Sequence, residues 1–297
     1  MKIIQSPYEN ITYQHKLTLT IGNFDGLHLG HQKLIETVKT HTDSHHGVLT
    51  FSPHPMTVLR KNPFYILTKP EDKIDILKSI GLDVFFLVDF SQSLQALSVD
   101  AFIAFLKKLS VIRLVLGRDF RFASKGLGSI EDLKKHFEVV IVDDILYNRM
   151  RISSTYIKDL LDQAHIGEVR KLLTRHFRIK GQIVHGNHIG KLLGFPTANI
   201  DYDHYYLPAN GVYYVKVTIG SNDYDAMANI GNNPTLNYSS KKRLEIYILD
   251  FDDNIYGKTV EVKFYHYIRE EHKFPSKAAL IEQLKKDESM IRKLTLS

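Results

Sequence analysis

The chain of 297 residues contains no cysteine. That absence excludes a disulfide framework, a zinc ribbon and a thiol nucleophile, and it fits a reducing compartment. Long apolar runs are also missing. Stretches such as residues 84–88 fall far short of the roughly 20 residues that span a bilayer. The first fifteen residues carry one lysine and no apolar segment, so they do not read as a secretory signal. No membrane association is expected, and the expected location is the cytoplasm. There is no low-complexity tract, no internal repeat and no basic tail. The net charge of +6 divides evenly, +3 in residues 1–172 and +3 in residues 173–297. Such a balance suits anionic small molecules as well as nucleic acid. Composition is otherwise that of a globular protein, with 43% hydrophobic and 24% charged residues. The length favours two domains, expected at 1–172 and 173–297.

In the first half, short apolar strands alternate with helical patterns. Strands are predicted at 17–21, 47–51, 83–88, 112–116 and 138–142, and helices at 31–40, 71–80, 99–109 and 130–137. This alternation implies βαβ units and an α/β parallel sheet, whose ligands sit at the carboxyl ends of the strands. After residue 176 the pattern becomes serial: β-branched and aromatic runs at 177–184, 211–219, 225–230, 244–249 and 259–267, separated by Gly, Asn, Asp and Pro. A closed or nearly closed antiparallel barrel is expected there, followed by a helix over 277–292.

Two segments carry chemistry. The first is Gly22-Asn23-Phe24-Asp25-Gly26-Leu27-His28-Leu29-Gly30-His31, a glycine-rich turn from strand to helix. Its glycines permit close backbone approach, and the helix start offers N–H groups to phosphate. His28 and His31 are three residues apart and face one way on a first helical turn. Two imidazoles so placed can stabilise charge on a phosphoryl group and its leaving pyrophosphate. The plainer reading is a turn with two solvated histidines; no third ligand at metal-site spacing supports zinc. Ser153-Ser154-Thr155 opens another helical run, where a hydroxyl can cap the first turn.

The second segment has glycines at 186, 190 and 194, then Pro196-Thr197-Ala198-Asn199. Glycine at every fourth residue between strands suits a flap over a nucleotide. The Thr197 hydroxyl and Asn199 amide oxygen are donors of the kind Mg²⁺ accepts. Glu245 alternates with Leu244 and Ile246 on a predicted strand, opposite the apolar face. Its residue type and position alone favour an ordinary surface charge.

These motifs, in this order, resemble the bacterial FAD synthetases. Gly22 to His31, Phe51-Ser52-Pro53-His54-Pro55, Gly117-Arg118-Asp119-Phe120-Arg121-Phe122 and Ile152-Ser153-Ser154-Thr155 are similar to the FMN adenylyltransferase module. The resemblance implies a Rossmann-like nucleotidyltransferase fold. Gly22, Asn23, Phe24, Asp25 and Gly30 would then line the ATP site, and His28 and His31 would bind its phosphates. Ser153, Ser154 and Thr155 would close over the triphosphate, with Lys158 nearby and Asp119 and Phe122 at the ligand site. Phe122 reads equally well as core. Lys158 stands where the family usually has arginine, which loses a bidentate grip, and Ala123 stands where it tends to have glycine.

The second half is similar to the riboflavin kinase module, a six-stranded barrel with a C-terminal helix. It matches over residues 186–199, 207–213, 229–235, Glu245, 250–251 and 268–274. By that resemblance Gly186, Gly190, Gly194 and Pro196 cover ATP, Thr197 and Asn199 hold Mg²⁺, Glu245 takes the proton from riboflavin's terminal ribityl hydroxyl, and Arg269 lies near the flavin. Tyr247 replaces a frequent histidine. The function implied is phosphorylation of riboflavin to FMN and adenylylation of FMN to FAD, with ATP, Mg²⁺ and flavins as small-molecule substrates or cofactors. One alternative keeps the fold with a single activity, for which Lys158 and the 123–129 loop make the adenylyltransferase the suspect. Another is a nucleic-acid-binding barrel, disfavoured because most basic pairs lie on helical faces beside acidic residues. Oligomeric state is not legible.

Overall fold

The computed structural model describes residues 1–184, 194–232 and 242–296. Internal contacts divide it into two compact units, Met1–Ser154 and Thr155–Ser297. This division falls at the first residue of the two helices that precede the barrel, whereas residue 172 falls within the second of them.

The first unit runs β1 (Lys2–Ser6), β2 (Leu17–Ile21), α1 (Leu29–Lys39), β3 (His45–Ser52), α2 (Pro55–Leu59), α3 (Pro70–Lys78), β4 (Val84–Asp89), α4 (Gln92–Gln95), α5 (Val99–Lys108), β5 (Val111–Gly117), α6 (Ile130–Lys134), β6 (Glu138–Val142) and a small hairpin, β7 (Leu146–Tyr147) and β8 (Met150–Arg151). Six strands form a parallel sheet in the order β1-β4-β3-β2-β5-β6. Strand β4 shows why the sheet is covered on both faces. Val84, Phe86 and Val88 join one apolar cluster with Phe102 and Leu106 of α5, while Phe85 and Leu87 join another with Ile35 of α1 and Leu77 of α3. A continuous apolar run, not alternation, is the mark of such a strand. The chain reverses direction across the sheet between β2 and β5, so the loops after those two strands flank the crevice where doubly wound sheets bind ligands.

The second unit begins with α7, whose helix spans Ser154–Asp162, and α8 (Ile166–Leu173). Strands β9 (Arg178–Val184), β10 (Ala198–Asp201), β11 (Gly211–Ile219), β12 (Asn222–Asn232), β13 (Lys242–Ile248) and β14 (Thr259–Arg269) close into an antiparallel barrel ordered β10-β13-β12-β11-β14-β9. Leu244, Ile246 and Ile248 alternate inward as expected, with Ile246 opposite Ala228 and Leu244 opposite Ile230. The outer face carries a second cluster of Phe195, Val212, Tyr214 and Met227, covered by Ile291 of the final helix α9 (Lys277–Leu294). A polar clasp reinforces that docking. Asp287, only 2% exposed, accepts three bonds of 2.8–3.1 Å from the Arg269 guanidinium at the end of β14.

Candidate functional site

In the first unit, the turn after β2 places the expected residues together. His28 sits at the N-cap of α1 and His31 in its first turn. Their rings stack at a centroid distance of 3.7 Å, and Phe24 leans on His31 at 5.1 Å. Gly30 leaves the room for this stack: a Cβ there would stand 3.2 Å from two atoms of the His28 ring. The turn is strained. Phe24 has φ +48° and Leu27 φ +44°, left-handed values that ordinary side chains rarely adopt. Both side chains are fully buried, so packing offsets part of that cost.

Hydrogen bonds from distant residues hold the turn in shape. Asp25, 2% exposed, accepts from the N–H groups of Leu67 and Thr68 at 2.7 and 3.1 Å. Gly26 N–H donates to Thr68 Oγ1 at 2.9 Å. Gly22 N–H donates to the Leu49 carbonyl of β3, and Thr50 Oγ1 donates to the carbonyl of Asn23. That same carbonyl accepts from Lys73 Nζ at 2.6 Å. Lys73 lies on α3 and is 2% exposed; burial pulls its pKa down to about 8, against the opposing pull of Asp25 and Asp72. Ser154 Oγ donates to the Asp25 carbonyl at 2.7 Å, so this hydroxyl fastens the turn.

Other expected residues lie apart from the turn. Phe122 is 5% exposed and packs in the main core, its ring 5.0 Å from Phe102 and 6.1 Å from Phe120. Gly128 lies against that ring so closely that a Cβ would meet it at 2.5 Å. Asp119 is exposed and paired with Arg151. Together with Arg118, Arg121 and Asp143 it borders an open cavity of about 650 Å³ beyond the carboxyl ends of β5 and β6. In the second unit, Thr155 is exposed, and Lys158 Nζ rests over the Tyr206 ring at 5.4 Å.

On the barrel, Asn199 of β10 is the register partner of Glu245 on β13, and Glu245 is the partner of Asn229 on β12. Residues directly opposite on paired strands share a face. The three therefore make a polar row on the outside of the barrel, beside the apolar patch under α9. Glu245 is half-buried and pairs with Arg243 Nε at 3.2 Å. Asn229 donates to Glu271 Oε1 at 3.4 Å, a long bond. Phe195 is buried against Tyr247 at 5.1 Å, which anchors the segment carrying exposed Pro196 and half-buried Thr197 to the barrel wall. Gly194 has φ +81° and begins the described part of that segment. Gly186 and Gly190 lie outside the described residues. Arg269 is committed to Asp287, with Phe274 stacked at 5.6 Å.

Among the described residues, no group of three His, Asp or Glu side chains could hold a metal ion. The Thr197 hydroxyl and Asn199 amide instead offer hard neutral oxygens next to one carboxylate. That donor set fits Mg²⁺, which retains water and substrate phosphate in its shell.

Comparison with known proteins decides the family. A protein described as a bifunctional riboflavin kinase/FMN adenylyltransferase from Listeria monocytogenes is 39% identical over 92% of this chain and 91% of its own. One of the same description from Buchnera aphidicola is 37% identical over 99% and 98%. The chain belongs to this bifunctional family. The FAD synthetase family model matches residues 10–156 and the riboflavin kinase model residues 173–295, one on each side of α8. A crystal structure from Streptococcus pneumoniae, described as a macrolide-efflux protein, shares the fold with a TM-score of 0.88 at 34% identity, covering 98% of each chain. Among the described residues no helix is long and apolar enough to cross a membrane.

Lys73, Thr68, Thr50, Asn229 and Asp287 escaped the sequence reading as site-supporting residues. Lys73 sits in a stretch whose charges look like a solvated helix face. Its only signal was the neighbouring Thr68-Lys69-Pro70, which marks where α3 starts but not what it faces.

Proposed function

We propose that the chain phosphorylates riboflavin to FMN and joins FMN to AMP, consuming one ATP in each step. The observation carrying this reading is the match of both family models, in order, along one chain that aligns nearly end to end with bifunctional relatives. Residues 1–172 are assigned to adenylylation and 173–297 to phosphorylation. Both steps draw on ATP, which puts the reading in the cytoplasm with small molecules as the partners.

For phosphorylation, Glu245 takes the proton from the terminal ribityl hydroxyl, whose oxygen attacks the γ-phosphorus of ATP while ADP leaves. Glu245 faces outward beside Asn199, so base and phosphate-holding residues lie on neighbouring strands. Thr197 and Asn199 would hold Mg²⁺, which supplies charge neutralisation at the phosphates. Gly186, Gly190, Gly194 and Pro196 cover the nucleotide in this reading, and Arg269 secures the rim of the flavin site through its grip on α9.

For adenylylation, a phosphate oxygen of FMN attacks the α-phosphorus of ATP and pyrophosphate leaves. His28 and His31 hydrogen-bond to the charge that develops, a task of positioning more than proton transfer. Gly22, Asn23, Phe24, Asp25 and Gly30 shape the cradle. Ser153, Ser154, Thr155 and Lys158 serve the triphosphate, and Asp119 serves the ligand from the loop after β5, with Phe122 supporting that loop from the core.

Chromatography of the products from riboflavin, ATP and Mg²⁺ tests this directly. FAD is expected, with FMN as its precursor. FMN alone would leave a single-activity kinase, and neither product would end the proposal.

A further inference from the structure

The structure assigns Lys73 as a positioning residue for the adenylyl transfer proposed above, on which this inference rests: its buried ammonium grips the Asn23 carbonyl and keeps the strained turn in the shape that stacks His28 on His31.

The turn must withstand backbone strain. Two non-glycine residues, Phe24 and Leu27, hold positive φ on either side of Gly26 at φ +86°. Such a backbone persists only where its surroundings over-determine it. One short stretch, Leu67 to Lys73, supplies four of the bonds that do so: Leu67 N–H and Thr68 N–H to Asp25 Oδ1, Gly26 N–H to Thr68 Oγ1, and Lys73 Nζ to Asn23 O. Three of these are ordinary neutral-donor bonds. The fourth comes from a side chain that a fold would keep on its surface unless it had work inside.

The local frame of Lys73 supports the same reading. Pro70 opens α3, and Asp72 reaches back to the Lys69 N–H at 3.1 Å, fixing the first turn of the helix. Lys73 follows within that turn, so its Nζ is aimed by a rigid element and not by a loop. Asp25 from the catalytic turn and Asp72 from its own helix act on its charge, and β3 contributes the Thr50 hydroxyl to the shared carbonyl. A charged donor makes a stronger bond than a neutral one, so Lys73 outweighs Thr50 at Asn23. The carbonyl lies one residue before Phe24, whose ring supports His31. Pulling on Asn23 thus sets the backbone from which that ring and the following histidines project.

The test uses the full chain with Lys73→Met, which keeps length and removes both charge and donor. Adenylylation of FMN is expected to lose about tenfold to hundredfold in kcat/KM for ATP, with KM for ATP raised, because the cradle is no longer preformed. Riboflavin phosphorylation on the same preparation should change less than about twofold. Parent activity should fall as pH rises through about 8, where Lys73 loses its proton. That limb should be absent in Lys73→Met and displaced upward in Lys73→Arg. Unchanged kcat/KM in Lys73→Met overturns the inference. So does a lower kcat with KM for ATP and the alkaline limb unmoved, which marks mere loss of folded protein. Should Lys73→Met fail to fold, an unmoved limb in Lys73→Arg overturns it alone. A parent chain that makes no FAD from FMN would instead refute the proposed function.

Discussion

Single atoms decide both sites. At Gly30 one methyl group is expected to matter: Gly30→Ala puts a Cβ 3.2 Å from the His28 ring, which must give by a few tenths of an ångström where it stacks on His31. FAD formation from FMN should drop by about threefold to tenfold, less than the about 10²-fold cost of a 1 Å misplacement, as read by steady-state kinetics, while FMN formation stays. At Glu245 the loss would be of the proposed base. Glu245→Gln preserves shape and removes the proton acceptor, so riboflavin phosphorylation should fall by about 10² to 10⁴, with adenylylation of supplied FMN unaffected. Lys73 couples stability to activity with opposite signs. Its pKa is depressed from 10.5 to about 8, so below pH 8 the fold holds a charge it disfavours, at a cost of about 3 kcal/mol. That cost is relieved as pH rises from about 8 to 10.5, where the unfolded chain binds the extra proton. Lys73→Met should therefore lose the parent's gain in stability between about pH 8 and pH 10.5, and calorimetry of both proteins across that range checks it.

At the scale of elements, hydrophobic pattern carried most of the reading. Strands β2 and β11 have the bounds expected from their β-branched runs, and α9 extends two residues beyond its expected end. The missed strands are β1 and β10, of five and four residues, and the β7–β8 hairpin. β1 and β10 hold only two apolar residues each, against three alternating in the equally short β2, so they do not stand out and pairing with a neighbour makes them. A closed or nearly closed barrel was expected from the serial strands, but its count of six came from family resemblance, since β10 did not read as a strand. The glycine-rich turn was legible because glycine and histidine mark it locally. Its fastening by residues 67–73 was not, because that contact joins segments more than forty residues apart. The clasp on α9 was equally hidden, as nothing local distinguishes Asp287 from the surface acids around it. Asp287→Ala leaves the Arg269 guanidinium half-enclosed and unpaired, and should cost about 3–5 kcal/mol. Denaturant unfolding followed by tyrosine fluorescence measures that loss.

Across the whole molecule, two fold grammars share one chain, with the paired histidines in the first unit and Glu245 in the second. His31→Ala in the full chain should accordingly make riboflavin and ATP accumulate as FMN, with FAD lost, and the complementary Glu245→Gln should still convert FMN to FAD. Mixing the two variants should restore FAD from riboflavin, since FMN can pass between molecules through solution. Chromatography of the mixture checks it.

The barrel is sealed where β9 meets β14, joining residues near 180 to residues near 260. Every strand between must be made before that seam can form, so a ribosome has to deliver almost the entire second half before this unit can shield its apolar interior. The parallel sheet has by then left the exit tunnel. Synthesis thus imposes a sequence on maturation that neither fold dictates alone: the front unit settles first, while the rear waits on its last strand.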